Sequence, residues 1–202
     1  MPALLPPVIP PGGLCRHAQP RFTVDELLVR PWEPSDARSV HEAYRDPDIQ
    51  RWHVRTMAGD EALNWVRSWS DRWAAETDVS WAVTRDGLLV GRVGFRALSL
   101  ADGSGDAAYW VVPAARGRKI AARALWGVTA WMFGQVGFHR MTLGHSARNE
   151  TSCRVAVKAG YAYEGTQRLQ GLHADGWHDM HLHARINDAK VIRRSASVTD
   201  HV

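Results

Sequence analysis

Between Val111 and Leu125 the chain reads VVPAARGRKIAARAL, and the residues in it with chemical potential are Arg116, Gly117, Arg118 and Lys119. A run of strand formers stops at Pro113, and alanines and a leucine then resume at helical spacing. The first turn of a helix has unpaired backbone N–H groups and the positive end of the helix dipole. Three basic side chains and a glycine at that point suit an anion, above all a phosphate. A solvated, charged helix start would look the same, and this segment alone does not separate the two.

Other reactive residue types lie downstream. Asn149-Glu150-Thr151-Ser152 opens a second predicted helix directly after the strand MTLGHSA, which carries His145. A histidine titrates near neutrality and can accept a proton there, although a lone histidine also serves as a structural residue. His178, His181 and His183 cluster near the end, and His181 and His183 share a strand face. No cysteine or carboxylate-rich partner stands at ligand spacing from them, so no metal is expected. Trp65, Trp69 and Trp73 are four apart, one helical face that suits core packing.

These residues need a scaffold, and 202 residues suffice for one domain with a full core. A composition of 45% hydrophobic and 23% charged residues is that of a globular protein. A net charge of +4 with scattered arginines falls short of a nucleic-acid surface. Cys15 and Cys153 are far apart, in no redox or zinc spacing. The proline-rich start has no basic region ahead of an apolar one, and no apolar run approaches spanning length. A cytoplasmic protein is therefore expected, without nucleic-acid or membrane partners.

Along the chain, residues 1–22 read as an extended, Pro-rich arm with little to pack, 23–187 as a single domain, and 188–202 as a polar, disordered tail. ELLVRPW is a strand. A helix follows from Pro34 to Asp46, ended by Asp46-Pro47-Asp48, and another runs from Asp60 to Glu76. Asp86-Gly87 turns a hairpin, and DAAYWVV is the strand before the basic turn. Two strands joined by the turn HADG close the domain. The order is βααβββαβαββ, an α+β fold. The helix after Val112 is a crossover, so its two flanking strands lie parallel and adjacent, with the basic turn at their carboxyl ends.

Arg116-Gly117-Arg118-Lys119-Ile120-Ala121, then Asn149-Glu150-Thr151-Ser152, then Lys158-Ala159-Gly160-Tyr161 resemble, in this order and spacing, the GCN5-related N-acetyltransferases (GNAT). The branch they resemble is that of the ribosomal-protein N-terminal acetyltransferases. The resemblance runs from about Leu28 to Ile186 and includes W-A-V, G-R-V-G-F and A-Y-W-V-V-P. It implies a mixed central sheet of about seven strands with a splayed parallel pair and four flanking helices. It also implies acetyl-CoA as co-substrate, no metal, and a primary amine that attacks the thioester directly. A CoA-binding or partner-binding relative without catalysis is the competing reading. A protein N-terminus, a polyamine or an antibiotic amine as acceptor, a longer acyl donor, and a homodimer all stay open.

By the same resemblance, Val111, Val112 and the turn from Arg116 to Ala121 hold the cofactor, and an N–H near Val111 or Val112 stabilises the oxyanion. Lys119 stands where the family has glycine; it either points outward and adds charge or crowds the loop. Ala156 stands where many relatives have a tyrosine, and Ser152 matches the serine that this branch offers to the departing thiolate. Ser152 also reads as an ordinary first-turn residue. Asn149 either holds the pantetheine or caps its helix. Asp106, three before Tyr109, is the candidate base, with His145 the second. Tyr109, Trp52 and Trp65 are the expected acceptor contacts.

Overall fold

The computed structural model describes residues 4–188, so all of the predicted tail but Asp188 lies outside the described residues. Eight strands form one sheet: β1 (Phe22–Val24), β2 (Leu27–Arg30), β3 (Val79–Arg85), β4 (Leu88–Ser99), β5 (Ser104–Val111), β6 (Arg140–Ser146), β7 (Ala162–His173) and β8 (Gly176–Ile186). Their order is β1-β2-β3-β4-β5-β6-β8-β7, and only β5 and β6 run parallel. Five α-helices flank the sheet: α1 (Ala37–Ala43), α2 (Pro47–His53), α3 (Gly59–Ala74), α4 (Ile120–Trp131) and α5 (Glu150–Lys158).

The two elements beyond the predicted seven strands and four helices have local causes. Phe22–Val24 is a three-residue strand paired only to β2, too short to show a period. The Asp46-Pro47 pair was read as a stop, but it is also a start. Asp46 Oδ1 accepts the Ile49 N–H, and proline's fixed φ suits the first helical position, so α2 begins there. The Asp86-Gly87 hairpin is as predicted, with φ of 53° and 77° at the two residues.

The parallel pair opens early. Cα partners run only from Ser104 with Arg140 to Asp106 with Thr142, although β5 continues to Val111 and β6 to Ser146. Beyond Asp106 the strands part and leave a notch. Since the Val112 N–H donates to the Val90 carbonyl, even-numbered amides there face β4, and those of Tyr109 and Val111 face the notch.

Two apolar clusters hold the sheet from opposite faces. Trp81, Phe95, Leu125, Val128, Met132, Met141 and Leu143 pack beneath α4. Val40, Tyr44, Ile49, Val66 and Trp110 pack beneath α1 to α3. The segment before β1, expected to have little to pack, belongs to the first cluster. Ile9 and Leu14 are 2% and 0% exposed, and the Glu76 carboxylate accepts N–H bonds from Gly12, Leu14 and Cys15. Against the pull of partial burial, those amides hold the Glu76 carboxyl below its ordinary range. Instead of running extended, residues 11–17 turn, with the Gly13 N–H on the Pro10 carbonyl and the His17 N–H on the Leu14 carbonyl, which seats the two apolar anchors that proline density does not reveal.

Candidate active site

A cleft of about 790 Å³ enters the molecule at the notch, within the size range of small-molecule sites. Its donor end is the turn after β5. Arg116, Gly117, Lys119, Ile120 and Ala121 line it, and α4 starts there, so the first amides of α4 lack intrahelical acceptors. Gly117 has φ +81°, and Lys119 has φ 58° and ψ 19°. That left-handed backbone explains why glycine is the natural residue at 119, and a lysine there carries strain of about 1 kcal/mol or more. The residue is exposed.

The other two arginines differ from expectation. Arg116 is tied to α2, with Nη2 on Asp46 Oδ1 and Nη1 2.9 Å from Asp48 Oδ2. Arg118 does not line the cleft; its carbonyl accepts a bond from Arg123, which pairs with Asp25 and Glu26. Val112 also stays outside, its amide already given to Val90.

At the centre, the Tyr109 hydroxyl donates to Ser152 Oγ at 3.0 Å. The two residues come from β5 and α5, on either side of the notch. Burial pushes the Tyr109 phenol up to about 12, so it stays protonated. With its lone pair occupied by Tyr109, the Ser152 hydroxyl is free to donate onward. Asn149 Oδ1 caps α5 by accepting the Ser152 N–H at 3.0 Å, and Asn149 also lines the cleft.

The acceptor end is made by Trp52, His53 and Val54 from α2, Arg96 from β4, and Gln170 to His173 from β7. His53 Nε2 lies 3.0 Å from the Tyr109 carbonyl, which can only accept, so Nε2 carries the proton. Burial, with the charges of Arg92 and Arg96, lowers His53 to about 4. His173 stacks against His178 at 4.3 Å, meets Trp52 edge-on at 6.0 Å, and places Nδ1 3.3 Å from the Arg51 carbonyl. Behind His173, Ser146, His178 and the exposed Asp175 form a chain with links of 2.8 Å and 2.8 Å.

Two predicted contacts lie elsewhere, and a third lines the cleft with both its nitrogens engaged. Asp106 precedes the splay, where its carboxylate is bonded by the Thr142 hydroxyl, and it does not line the cleft. Trp65 packs on Trp32 at 5.0 Å and Trp69 at 5.2 Å and covers the buried Arg92, so it too is absent from the cleft wall. His145 does line the cleft, but both its nitrogens are engaged, Nδ1 with the Ser146 carbonyl at 2.8 Å and Nε2 with His183 at 3.2 Å. Burial and the neighbouring histidines lower its pKa. His53 and His173 were missed because a histidine's role depends on what faces it, and nothing in the local pattern says so.

A mixed sheet with one splayed parallel pair, a phosphate-type helix start after the first of those strands and a hydroxyl donor over the gap define a CoA-type acyltransferase fold. The model of the acetyltransferase (GNAT) domain matches residues 26–162, and the chain belongs to that family. An uncharacterised N-acetyltransferase of Bacillus subtilis, YoaA, is 22% identical over 153 residues, covering 74% of this chain and 86% of that protein. Among solved structures, RimL, a ribosomal L7/L12 alpha-N-protein acetyltransferase in complex with coenzyme A, superposes with a TM-score of 0.78 at 17% identity, covering 84% of this chain and 99% of the other. The ribosomal-protein-S5-alanine acetyltransferase from Vibrio fischeri gives 0.76 at 20% identity, covering 84% and 97%. Among the described residues no helix is long and apolar enough to cross a membrane.

Proposed function

We propose that the chain transfers an acetyl group from acetyl-CoA to a primary amine, most directly the α-amine of a protein or peptide N-terminus. The observation that carries this reading is the Tyr109–Ser152 hydrogen bond laid across the notch between β5 and β6. The residues present fit the donor: free amides at the start of α4 and the positive φ of Gly117 suit a pyrophosphate. The Lys119 charge adds to that attraction. The N–H groups of Tyr109 and Val111 face the gap where a thioester carbonyl would gain negative charge. Tyr109 holds Ser152 so that its hydroxyl can donate to a leaving sulfur.

His173 is the group proposed to take the amine's proton. With Nδ1–H directed at the Arg51 carbonyl, its Nε2 keeps the lone pair. Trp52 forms an aromatic wall for the ammonium form, and Val54 and Leu172, 51% and 60% exposed, give the mouth an apolar rim suited to a chain-borne amine. The names of the ribosomal-protein acetyltransferases with this fold support the same class of acceptor.

The test is a thiol-release assay with acetyl-CoA and a panel of unblocked peptides, their N-acetylated counterparts, polyamines and aminoglycosides. Turnover with unblocked peptides and none with blocked ones is expected. Preference for the small amines would replace the peptide reading, and acetyl-CoA binding without turnover on any amine would replace catalysis with binding.

A further inference from the structure

His145, His181, His183 and Cys153 bring one ligand atom each within 4.8 Å of one another. The grouping is tertiary. His145 and His181 are direct partners across β6 and β8, His183 is two residues further along the same face, and Cys153 comes down from the first turns of α5. His183 is 0% and His145 5% exposed, and no carboxylate belongs to the cluster.

The hydrogen bonding inside the cluster is incomplete in an informative way. The Ser146 carbonyl holds the proton of His145 on Nδ1, which leaves Nε2 as a lone pair directed at His183 Nε2, 3.2 Å away. Nδ1 of His181 is buried without a hydrogen-bond partner, whereas the Tyr161 backbone bears on His183. A buried nitrogen left without a partner is costly, and one inside a cluster of metal-ligand side chains calls for an explanation. A backbone carbonyl that fixes a histidine tautomer is also the usual outer partner of a metal-ligating imidazole.

We propose that these four side chains form a closed, tetrahedral zinc site. Three imidazoles and one thiolate are donors that zinc prefers to calcium or magnesium. Zinc bonds of about 2.0–2.3 Å put neighbouring ligand atoms roughly 3.3–3.6 Å apart. The closest pair already stands at 3.2 Å, and the others need side-chain shifts of about an ångström. Four protein ligands leave no open position, so the ion would staple α5 to the sheet rather than activate water. Cys153 is next to Ser152, and the staple would fix the turn that carries the proposed hydroxyl donor. The site does not depend on whether the chain transfers acetyl groups.

Untagged, chelator-stripped full-length protein titrated with Co²⁺ should bind one equivalent. It should give the strong visible bands of tetrahedral cobalt and a near-ultraviolet thiolate-to-cobalt band, both displaced by Zn²⁺. Zinc competition against a fluorescent chelator should give a submicromolar dissociation constant. Cys153→Ser should abolish the near-ultraviolet band and weaken zinc at least 100-fold, and His181→Gln should weaken it similarly, with Cys15→Ser unaffected. Circular dichroism of each variant separates lost ligation from lost folding, and the wild-type cobalt spectrum decides even if a variant fails to fold. Octahedral cobalt without a thiolate band, affinity unchanged in Cys153→Ser, or no binding at micromolar metal would overturn the site and leave a packed histidine cluster.

Discussion

The two ends of the cleft are built by opposite strategies. The donor end is built on a contiguous segment: one strand end, one turn and one helix start, Val111 to Ala122, with α5 alongside. The acceptor end draws on residues 48–54, Arg96 and residues 170–173, which share no local pattern. The first uses backbone amides, which tolerate side-chain changes except at the left-handed positions 117 and 119, whereas the second uses side chains whose orientation depends on packing. The difference teaches that substitutions in the turn should be forgiven more readily than substitutions around His53 and His173. Arg116 joins the two ends, because it belongs to the turn and is bound by Asp46 and Asp48 of the α2 region.

The largest expected effect lies where the ends meet. Ser152→Ala should lower kcat by up to about 1000-fold with little change in acetyl-CoA affinity, as for loss of one preorganised donor. Equal losses in kcat and in acetyl-CoA binding would make Ser152 a helix residue and nothing more. At the acceptor end, His173→Gln should cost about 100-fold at pH 7 and recover toward pH 10, where the amine deprotonates unaided. A loss independent of pH would assign His173 to packing.

Arg116→Ala tests the link. Its exposed ion pairs contribute little stability, but they position α2. The amine KM should rise about 10-fold while the acetyl-CoA dissociation constant stays within about 3-fold, since small displacements are costly at the reacting amine. The reverse pattern would return Arg116 to the phosphates.

His53 carries a pH signature. Its folded pKa is lowered from 6.5 to about 4, so the folded chain prefers it neutral. Its contribution is intact above about pH 6.5 and is lost as pH falls from there toward 4, because the unfolded chain takes up a proton that the folded chain resists. The Tm should therefore drop across that window in the wild type and drop less in His53→Asn; parallel curves would remove His53 as the cause. The smallest effect is Lys119→Gly. Relief of the left-handed backbone, partly offset by the entropy of glycine, should raise Tm by about 1–3 °C and leave acetyl-CoA affinity within about 3-fold. A large loss of affinity would mean that the ammonium group is an essential contact.

What the sequence alone determined is what depends on neighbours along the chain. The strand-to-helix hand-over at Pro113, the Asp86-Gly87 hairpin, the cap at Asn149 and the crossover that makes β5 and β6 parallel all follow from local backbone preferences and spacing. The collinear motifs were enough to place the chain in its family, as residues 26–162 bear out. Only the tertiary structure decided which side chains face the cleft. Asp106 and Trp65 were expected there from the family resemblance, and each is taken up by a partner from elsewhere, Thr142 and Trp32. His53 and His173 reach the cleft from elements 120 residues apart in sequence, linked by the bond from His173 to Arg51 (separation 122). Cys153 likewise stands far from ligand spacing along the chain, yet α5 lowers it onto the histidines of β6 and β8. Backbone geometry is a property of a few consecutive residues, so it can be read locally; a side chain's chemistry is set by whatever the fold brings against it.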